Sequence, residues 1–591
     1  MAEPKPYIKP RPVDAGVYEQ ALQEGLSPLL ARVAAGRYQS AGDSVSQKVS
    51  PGLSVIASPK LLLGMDRAVA RLVEAVTKRQ MIAIVTDYDV DGITSHAVIF
   101  RTLTQYFHFP KNLIVSLIGH RINDGYGLSD PLVDRIEQLD DRPSVMITAD
   151  CGSSDEPRIA RLKALNIDVI VTDHHAIPAE GAPASALAVI NPAQATCQYP
   201  DATIAGCMVS WLLMSQLRAE LVSQNHLPQN TPKLASELDW VALGTVADCV
   251  SMGTAINRAV VIVGLKLMNG MTRSCWRVAA QALGKAGKPF DSEDLGFQIG
   301  PRINARSRMS DPYAALRFVL SDKESETKGL YQVLDEDNQS RKLTEQAMVE
   351  QAKAEALIQI EQGAFIPVVY LKEGHPGVQG IVAARIMQWT GCPALVLCPH
   401  KEENQLTGSA RSILEVHIRD ALQLVADAQP DILVKFGGHK GAAGLTIWAD
   451  KLPELTVALN DVVAKQLNQQ VPSPVIWTDG ELEDHELGLE LYHQLQLFSP
   501  WGREFEKPVF EGLFYVDQLR AVGKPAVHLS LRLATETQQF KAIWFRALPD
   551  EGLDAPIEVG DVVRCAYTLA EDDYQQKLQL QLIVDYAEID E

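Results

Sequence analysis

The sequence predicts an α/β protein: a parallel-sheet domain, a long connecting helix, a second α/β domain and a C-terminal β-barrel. Three observations carry that expectation. Short β-branched runs at Met81, Ser144 and Ile167 each end abruptly in acids or histidines, the pattern of buried parallel strands whose carboxyl ends carry a site. No Gly or Pro interrupts Leu330 to Gln362, so an unbroken helix is allowed there. Beyond residue 475 apolar and polar residues alternate, at Val527, Leu529, Leu531 and Leu533 and again at Leu578, Leu580, Leu582 and Val584. That is the period of strands with one buried face.

A chain of 591 residues exceeds one hydrophobic core and should divide into roughly three or four domains. The expected division is an N-terminal extension (1–50), a catalytic domain (51–310), a helical connection (311–362), a second α/β domain (363–468) and a barrel (475–591). Pro4, Pro6, Pro10 and Pro12 stand where a secretory signal needs an apolar stretch, and no run reaches membrane-spanning length, so a cytoplasmic protein without membrane contact is expected. Eight cysteines without a CxxC pair speak against a disulfide scaffold or zinc site. A net charge of −20 speaks against a broadly basic nucleic-acid surface. Carboxylates gathered around divalent ions are neutralised once loaded, however, so a polyanion can still approach where the groove walls carry basic residues.

Taken in order, the first fifty residues look helical and show no chemistry, and Leu61 to Lys78 has helical spacing. In MIAIVTDYDVDG, Ile82 to Val85 reads as a buried strand, followed by Asp87, Asp89 and Asp91 at every second position. Crowded carboxylates repel unless a cation lies between them, and hard divalent cations take oxygen ligands. A solvated acidic loop is the plainer alternative for this stretch alone. Ile93 to Phe107 reads as the following helix. The Ser144–Thr148 strand leads to Asp150, and the Ile167–Val171 strand leads to Asp173, His174 and His175. One such Asp usually caps a helix; three strand ends of this kind imply one sheet with one shared site. Asp248 ends the apolar run Asp239 to Met252, where it needs either a counter-ion or a backbone amide to cap.

After the breaker-free connection, Pro367–Leu371 and Ala394–Cys398 read as strands of a second α/β domain. Its Gly437, Gly438, His439, Gly441 and Gly444 suit either a phosphate-approaching loop or tight turns. Near the barrel, Trp501, Phe505 and Phe510 interleave with Arg503 and Lys507, a pattern that fits base stacking or barrel core equally.

DYDVDG (87–92), the acid of TADCG at 150, DHH (173–175) and the VAD ending in Asp248 resemble the four ordered metal-binding motifs of the DHH phosphoesterase superfamily. HRINDGYGL from His120, GPRINARSRM from Gly300, HPGVQGIVAAR from His375, GSARS from Gly408 and FGGHKGAAG from Phe436 narrow the resemblance to its RecJ-type single-strand-specific exonucleases. It covers nearly the whole chain from about residue 50 and implies a DHH domain, a DHH-associated domain and an OB-fold that binds single strands. The implied activity is metal-dependent 5′ to 3′ hydrolysis of single-stranded DNA to 5′ mononucleotides, in repair and recombination. Two divalent cations, Mn²⁺ with Mg²⁺ able to substitute, are implied as cofactors. A monomer is implied, with single-stranded DNA, a single-strand-binding protein and a helicase as partners.

By the same resemblance Asp87 serves one metal, Asp89 and His174 the other, Asp150 bridges and Asp248 adds a ligand, while His175 stands beside the scissile phosphate. Asp91 and Asp173 orient these groups. Arg308, Arg385 and His439 are implied near phosphates close to the metals, Asn304 as a substrate contact, and Arg121, Ser409 and Arg411 in a pocket for the 5′-phosphate. The chain departs from its relatives in three places. Val85 stands where many have histidine, Ala305-Arg306-Ser307-Arg308 where they read Ala-Ala-Gly-Arg, and AEDDYQQKLQLQ lacks their Asn-Glu and Arg-Gly pattern. Two alternatives stay open: a phosphodiesterase for short oligonucleotides or cyclic dinucleotides, and a non-catalytic DNA-binding scaffold.

Overall fold

The computed structural model describes the chain apart from residues 1–4, 41, 43, 121–123, 310, 549–551, 573–577 and 591, and the side chains of 308 and 309. Strand β1 (Tyr7–Pro10) pairs far along the chain, in parallel with Val475–Thr478 just ahead of the barrel. Helices Ala15–Gln23, Pro28–Ala35 and Val45–Val49 follow. The N-terminal segment is therefore a strap. Arg37 and Asp479, both fully buried, form a two-pronged ion pair across this junction, at 2.6 and 3.0 Å.

The catalytic sheet contains β2 (Ile82–Thr86), β3 (Ile114–Ile118), β4 (Val145–Ala149), β5 (Asp168–Thr172) and β6 (Ala188–Ile190), all parallel in the order β3-β2-β4-β5-β6. Alternate residues supply its two faces. Ile82, Ile84, Ile147 and Ile170 pack into one core with helices Val90–Arg101, Gly206–Ser223 and Leu238–Ala247, while Ala83, Val85, Met146 and Val171 pack on the other against Leu132, Ile136, Ile159 and Leu162. Burial on both faces explains why these strands read as continuous apolar runs.

The connecting helix, Glu324–Glu361, has 38 residues, about 57 Å at 1.5 Å per residue. It begins earlier than the breaker-free stretch suggests, taking in Gly329. Packing at both ends explains its length: Tyr331 and Leu334 join the catalytic core, and Met348, Ala352 and Ala356 join a core of the second domain. That domain holds β7 (Val368–Tyr370), β8 (Ala394–Pro399), β9 (Gln405–Arg411), β10 (Leu433–His439) and β11 (Ala442–Trp448), ordered β10-β11-β9-β8-β7. The glycine cluster is not a free loop. It forms the facing strands of the β10–β11 hairpin, with His439 opposite Ala442 at its tip.

Strands β12 (Val475–Thr478), β13 (Phe510–Val522), β14 (His528–Ala534), β15 (Gln539–Trp544), β16 (Val562–Asp572) and β17 (Gln579–Ile589) complete the chain, the last five closing a barrel in the order β13-β14-β15-β17-β16. Trp501, Phe505 and Phe510 are buried; they are packing groups, and a base cannot stack on them. Among the described residues no helix is long and apolar enough to cross a membrane, and all eight cysteines are free thiols.

Candidate metal centre and nucleic-acid cleft

Three carboxyl ends of adjacent strands deliver the site. After β2 the chain turns directly into helix Val90–Arg101, whose first turn is capped by Asp89 Oδ1 accepting from Gly92 N at 3.1 Å. A Cβ on Gly92 would lie 2.2 Å from the Asp87 carbonyl oxygen, so only glycine permits this turn. After β4, Asp150 sits in the left-handed region at φ 59°, a conformation that Asp tolerates better than most residues. After β5, Asp173 Oδ1 accepts from the backbone N–H of His174 and His175, and Asp173 Oδ2 accepts from Ser153 N. Asp248 caps the C-terminus of helix Leu238–Ala247.

Three sets of ligand atoms lie within 4.8 Å of one another: Asp87, Asp89 and Asp150; Asp91, His174 and Asp248; and Asp150, His174 and His175. Asp150 is the shared member on the acid side. His174 Nε2 lies 3.2 Å from Asp150 Oδ1 and 3.5 Å from Asp248 Oδ2. Asp89 groups with Asp87 and Asp150. Asp91 is committed elsewhere, its two oxygens accepting from Gly206 N at 2.6 Å and Cys207 N at 2.8 Å, the first amides of helix Gly206–Ser223.

The electrostatics fit a cation. Burial, with Asp91, Asp89, Asp248 and Asp87 nearby, pushes the Asp150 carboxyl well above its usual range, and burial with Asp91 and Asp89 does the same to Asp248. Burial holds His174 below its ordinary value, which leaves the imidazole neutral and able to ligate. Asp150 Oδ1 and His174 Nε2 are buried with no hydrogen-bond partner among the described residues, although polar atoms so placed normally have one. An oxygen-rich donor set with one imidazole suits Mn²⁺ or Mg²⁺. His175 behaves differently. Burial opposes its charge, but the hydrogen bond to Asp173 overrides it and raises the imidazole to about 9.

Tyr126 is a residue that sequence reasoning misses, yet its hydroxyl lies 2.9 Å from His175 Nε2. Its place in HRINDGYGL is the available signal. Asn304 Oδ1 accepts from Val90 N at 3.1 Å, fixing the start of the acid-bearing helix from the inside. The extra guanidinium of Arg306 is paired with Asp337 of the connecting helix, at 2.8 Å, and donates to the Asp311 carbonyl, also at 2.8 Å. Arg121 and the Arg308 side chain lie outside the described residues.

Across the cleft, Arg411 Nη1 donates to Ser409 Oγ at 2.9 Å. Both side chains crowd the start of helix Gln379–Thr390, where a Cβ on Gly380 would meet Arg411 Nη2 at 2.7 Å and Ser409 Oγ at 2.9 Å. Arg385, on the same helix, lies 3.7 Å from Glu345 of the connecting helix. His439, at the hairpin tip, is less basic than usual: burial lowers it first, and the charges of Arg503, Arg411, His175 and His417 act in the same direction.

A strand-end acid and histidine cluster on this sheet, faced by a second α/β domain, defines a DHH-type phosphoesterase. The DHH family N-terminal domain matches residues 81–245, the DHHA1 domain residues 363–465 and the RecJ OB domain residues 478–586. The single-stranded-DNA-specific exonuclease RecJ of Haemophilus influenzae is 34% identical over 95% of this chain and 97% of its own length, and that of Escherichia coli is 32% identical over 95% and 96%. Crystalline RecJ from Thermus thermophilus in complex with Mn²⁺ superimposes with a TM-score of 0.77 at 25% identity, covering 99% of this chain and 79% of that one. The chain belongs to the RecJ family.

Proposed function

We propose that this chain is a single-stranded-DNA-specific exonuclease that uses two divalent cations, proceeds from the 5′ end and releases 5′ mononucleotides in DNA repair and recombination. The observation that carries this reading is the buried, cation-ready cluster of acids and histidines at the ends of three strands, with the Ser409–Arg411 pair on the second domain as an anion site. The names of the RecJ relatives and the OB-type barrel support the single-strand substrate.

Asp87, Asp89, Asp150, His174 and Asp248 would hold Mn²⁺ or Mg²⁺, which when bound neutralise phosphoryl charge and lower the pKa of the attacking water. The chain's own groups do the positioning. Asp91, fastened by two backbone amides, and Asp173, fastened by three, keep the neighbouring ligands in register. His175, held between Asp173 and Tyr126 and kept protonated, places a positive charge beside the scissile phosphate. Asn304 secures the helix start, and Arg308, His439 and Arg385 supply further contacts to the strand. Ser409, Arg411 and Arg121 form the end pocket: a terminal phosphate carries more charge than an internal diester and takes more charge-assisted bonds. An enzyme that measures an end in this way removes units from it.

The remaining assignments are the five-part division stated above, action as a cytoplasmic monomer, and cooperation with a single-strand-binding protein and a helicase. Oligonucleotides labelled at either end test the activity in the presence of Mn²⁺. The 5′ label should appear first as a mononucleotide while the 3′ label persists in long products. Early mononucleotides from the 3′ end, or internal cuts, would contradict the reading.

A further inference from the structure

The turn that carries Arg503 is fastened to the segment that follows Asp248. Gly502 N donates to Phe505 O at 3.0 Å and Phe505 N donates to Gly502 O at 3.1 Å, with Glu504 in the left-handed region at φ 64°. The base of this turn is rigid. Phe505, fully buried, stacks on Trp501 with centroids 5.4 Å apart and lies 4.0 Å beneath the Arg258 guanidinium, which in turn donates to the carbonyls of Val49, Phe498 and Pro500. The tip is tied to the catalytic domain, where Met252 N donates to Arg503 O at 2.8 Å. A Cβ on Gly502 would lie 2.5 Å from Met252 Cγ, which leaves the junction no slack.

The Arg503 side chain is left out of this packing, at 64% exposure, as is that of Glu504 at 58%. Its ion pair among the described residues is a loose one with its own neighbour, Nε to Glu504 Oε1 at 3.6 Å. Three other arginines around the cleft are matched by acids of the connecting helix: Arg302 with Asp335, Arg306 with Asp337 and Arg385 with Glu345. Among the described residues Arg503 has no such partner on that helix. The bond from Met252 N to its carbonyl, 2.8 Å, fixes it beside the segment that follows Asp248, and its charge is felt by Asp248, Cys249 and His439. A guanidinium so placed, on a chain of net charge −20, stands where a polyanion entering the cleft needs a local cation.

We propose that Arg503 binds a backbone phosphate of the single strand as it passes between Asp248 and the His439 hairpin. The segment ahead of the barrel then takes part in aligning the strand with the cleft. This inference rests on the exonuclease reading above and names a contact that none of the cleft motifs contains.

Binding of a fluorescent single-stranded oligonucleotide to the full chain, followed by anisotropy over a salt series with chelator present, reads the contact without hydrolysis. Arg503→Gln should weaken binding about fivefold near physiological salt and reduce the slope of log K against log salt by about 0.7, one phosphate's share on a single strand. Arg503→Lys should restore most of both, and with Mn²⁺ the Arg503→Gln loss should fall on KM more than on kcat. Unchanged affinity and slope would overturn the proposal, as would a variant altered only in the Mn²⁺ concentration it requires, since Arg503 would then merely balance Asp248. If the unsubstituted protein neither binds nor cleaves single strands, the exonuclease reading itself fails, which the substitution results alone cannot produce.

Discussion

Asp173 Oδ1 lies 2.8 Å from His175 Nδ1 and also accepts from the backbone amides of His174 and His175, so one carboxylate sets both histidines of the site. Asp173→Asn keeps the shape and removes the charge. Turnover of single-stranded DNA should fall roughly 10- to 100-fold, as for other groups that hold a ligand from behind. Circular dichroism should show an unchanged fold. A rate within about a factor of two of the parent would show that His175 needs no such anchor.

His96 gives the fold a pH dependence separate from catalysis. It is fully buried between Thr86 Oγ1 at 3.2 Å and Ser116 Oγ at 2.9 Å, and burial lowers its pKa to about 3. The unfolded chain takes up this proton near pH 6.5 whereas the folded chain resists it, so stability declines as pH falls from about 6.5 towards 3. By pH 5 this one group should cost about 2 kcal/mol. His96→Gln, which can bond both hydroxyls without titrating, should lose about that much less than the parent between pH 8 and pH 5 in urea unfolding. Parallel pH profiles would exclude the assignment.

The strap is tested at Arg37 and Asp479, both side chains at most 1% exposed. Arg37→Met leaves the buried Asp479 carboxylate with only the Val509 amide as partner and no cation, and should destabilise by about 3–5 kcal/mol. Adding Asp479→Leu should recover most of that loss. Additive losses in the double variant would show that packing of the junction matters and the ion pair does not.

Much of the fold and site is legible in the sequence, for local reasons. Strands buried on both faces leave unbroken β-branched runs, and acids at their ends stand out against them. The edge strands Ile114–Ile118 and Ala188–Ile190 escape such a reading because the first is only half-buried and broken by Ser116, the second has three residues, and neither runs directly into an acid. The pairing of Tyr7–Pro10 with Val475–Thr478 has no local signal at all, since its partner lies more than 460 residues away. Trp501 and Phe505 show a different limit: aromatics among basic residues read alike whether they stack on bases or, as here, pack beneath a buried arginine. The glycines of the second domain mislead similarly, because a hairpin with close strands needs them as much as a phosphate loop does. Arg503 is visible as a cation near aromatics, but only the fold fastens it to Met252, just beyond Asp248 in the chain.

In the proposed mechanism Asp150, where the acid and histidine sets meet, organises a metal-dependent hydrolytic site. Asp150→Asn is isosteric and tolerates the left-handed backbone at φ 59°, and it relieves crowding among the acids, so the fold should persist. The decisive measurement is the initial rate of mononucleotide release from 5′-labelled single-stranded DNA at saturating Mn²⁺, parent against Asp150→Asn. The expected result is a loss of several orders of magnitude, because metal-supported charge stabilisation is worth several kcal/mol. Retention of more than about a tenth of the parent rate would contradict the account.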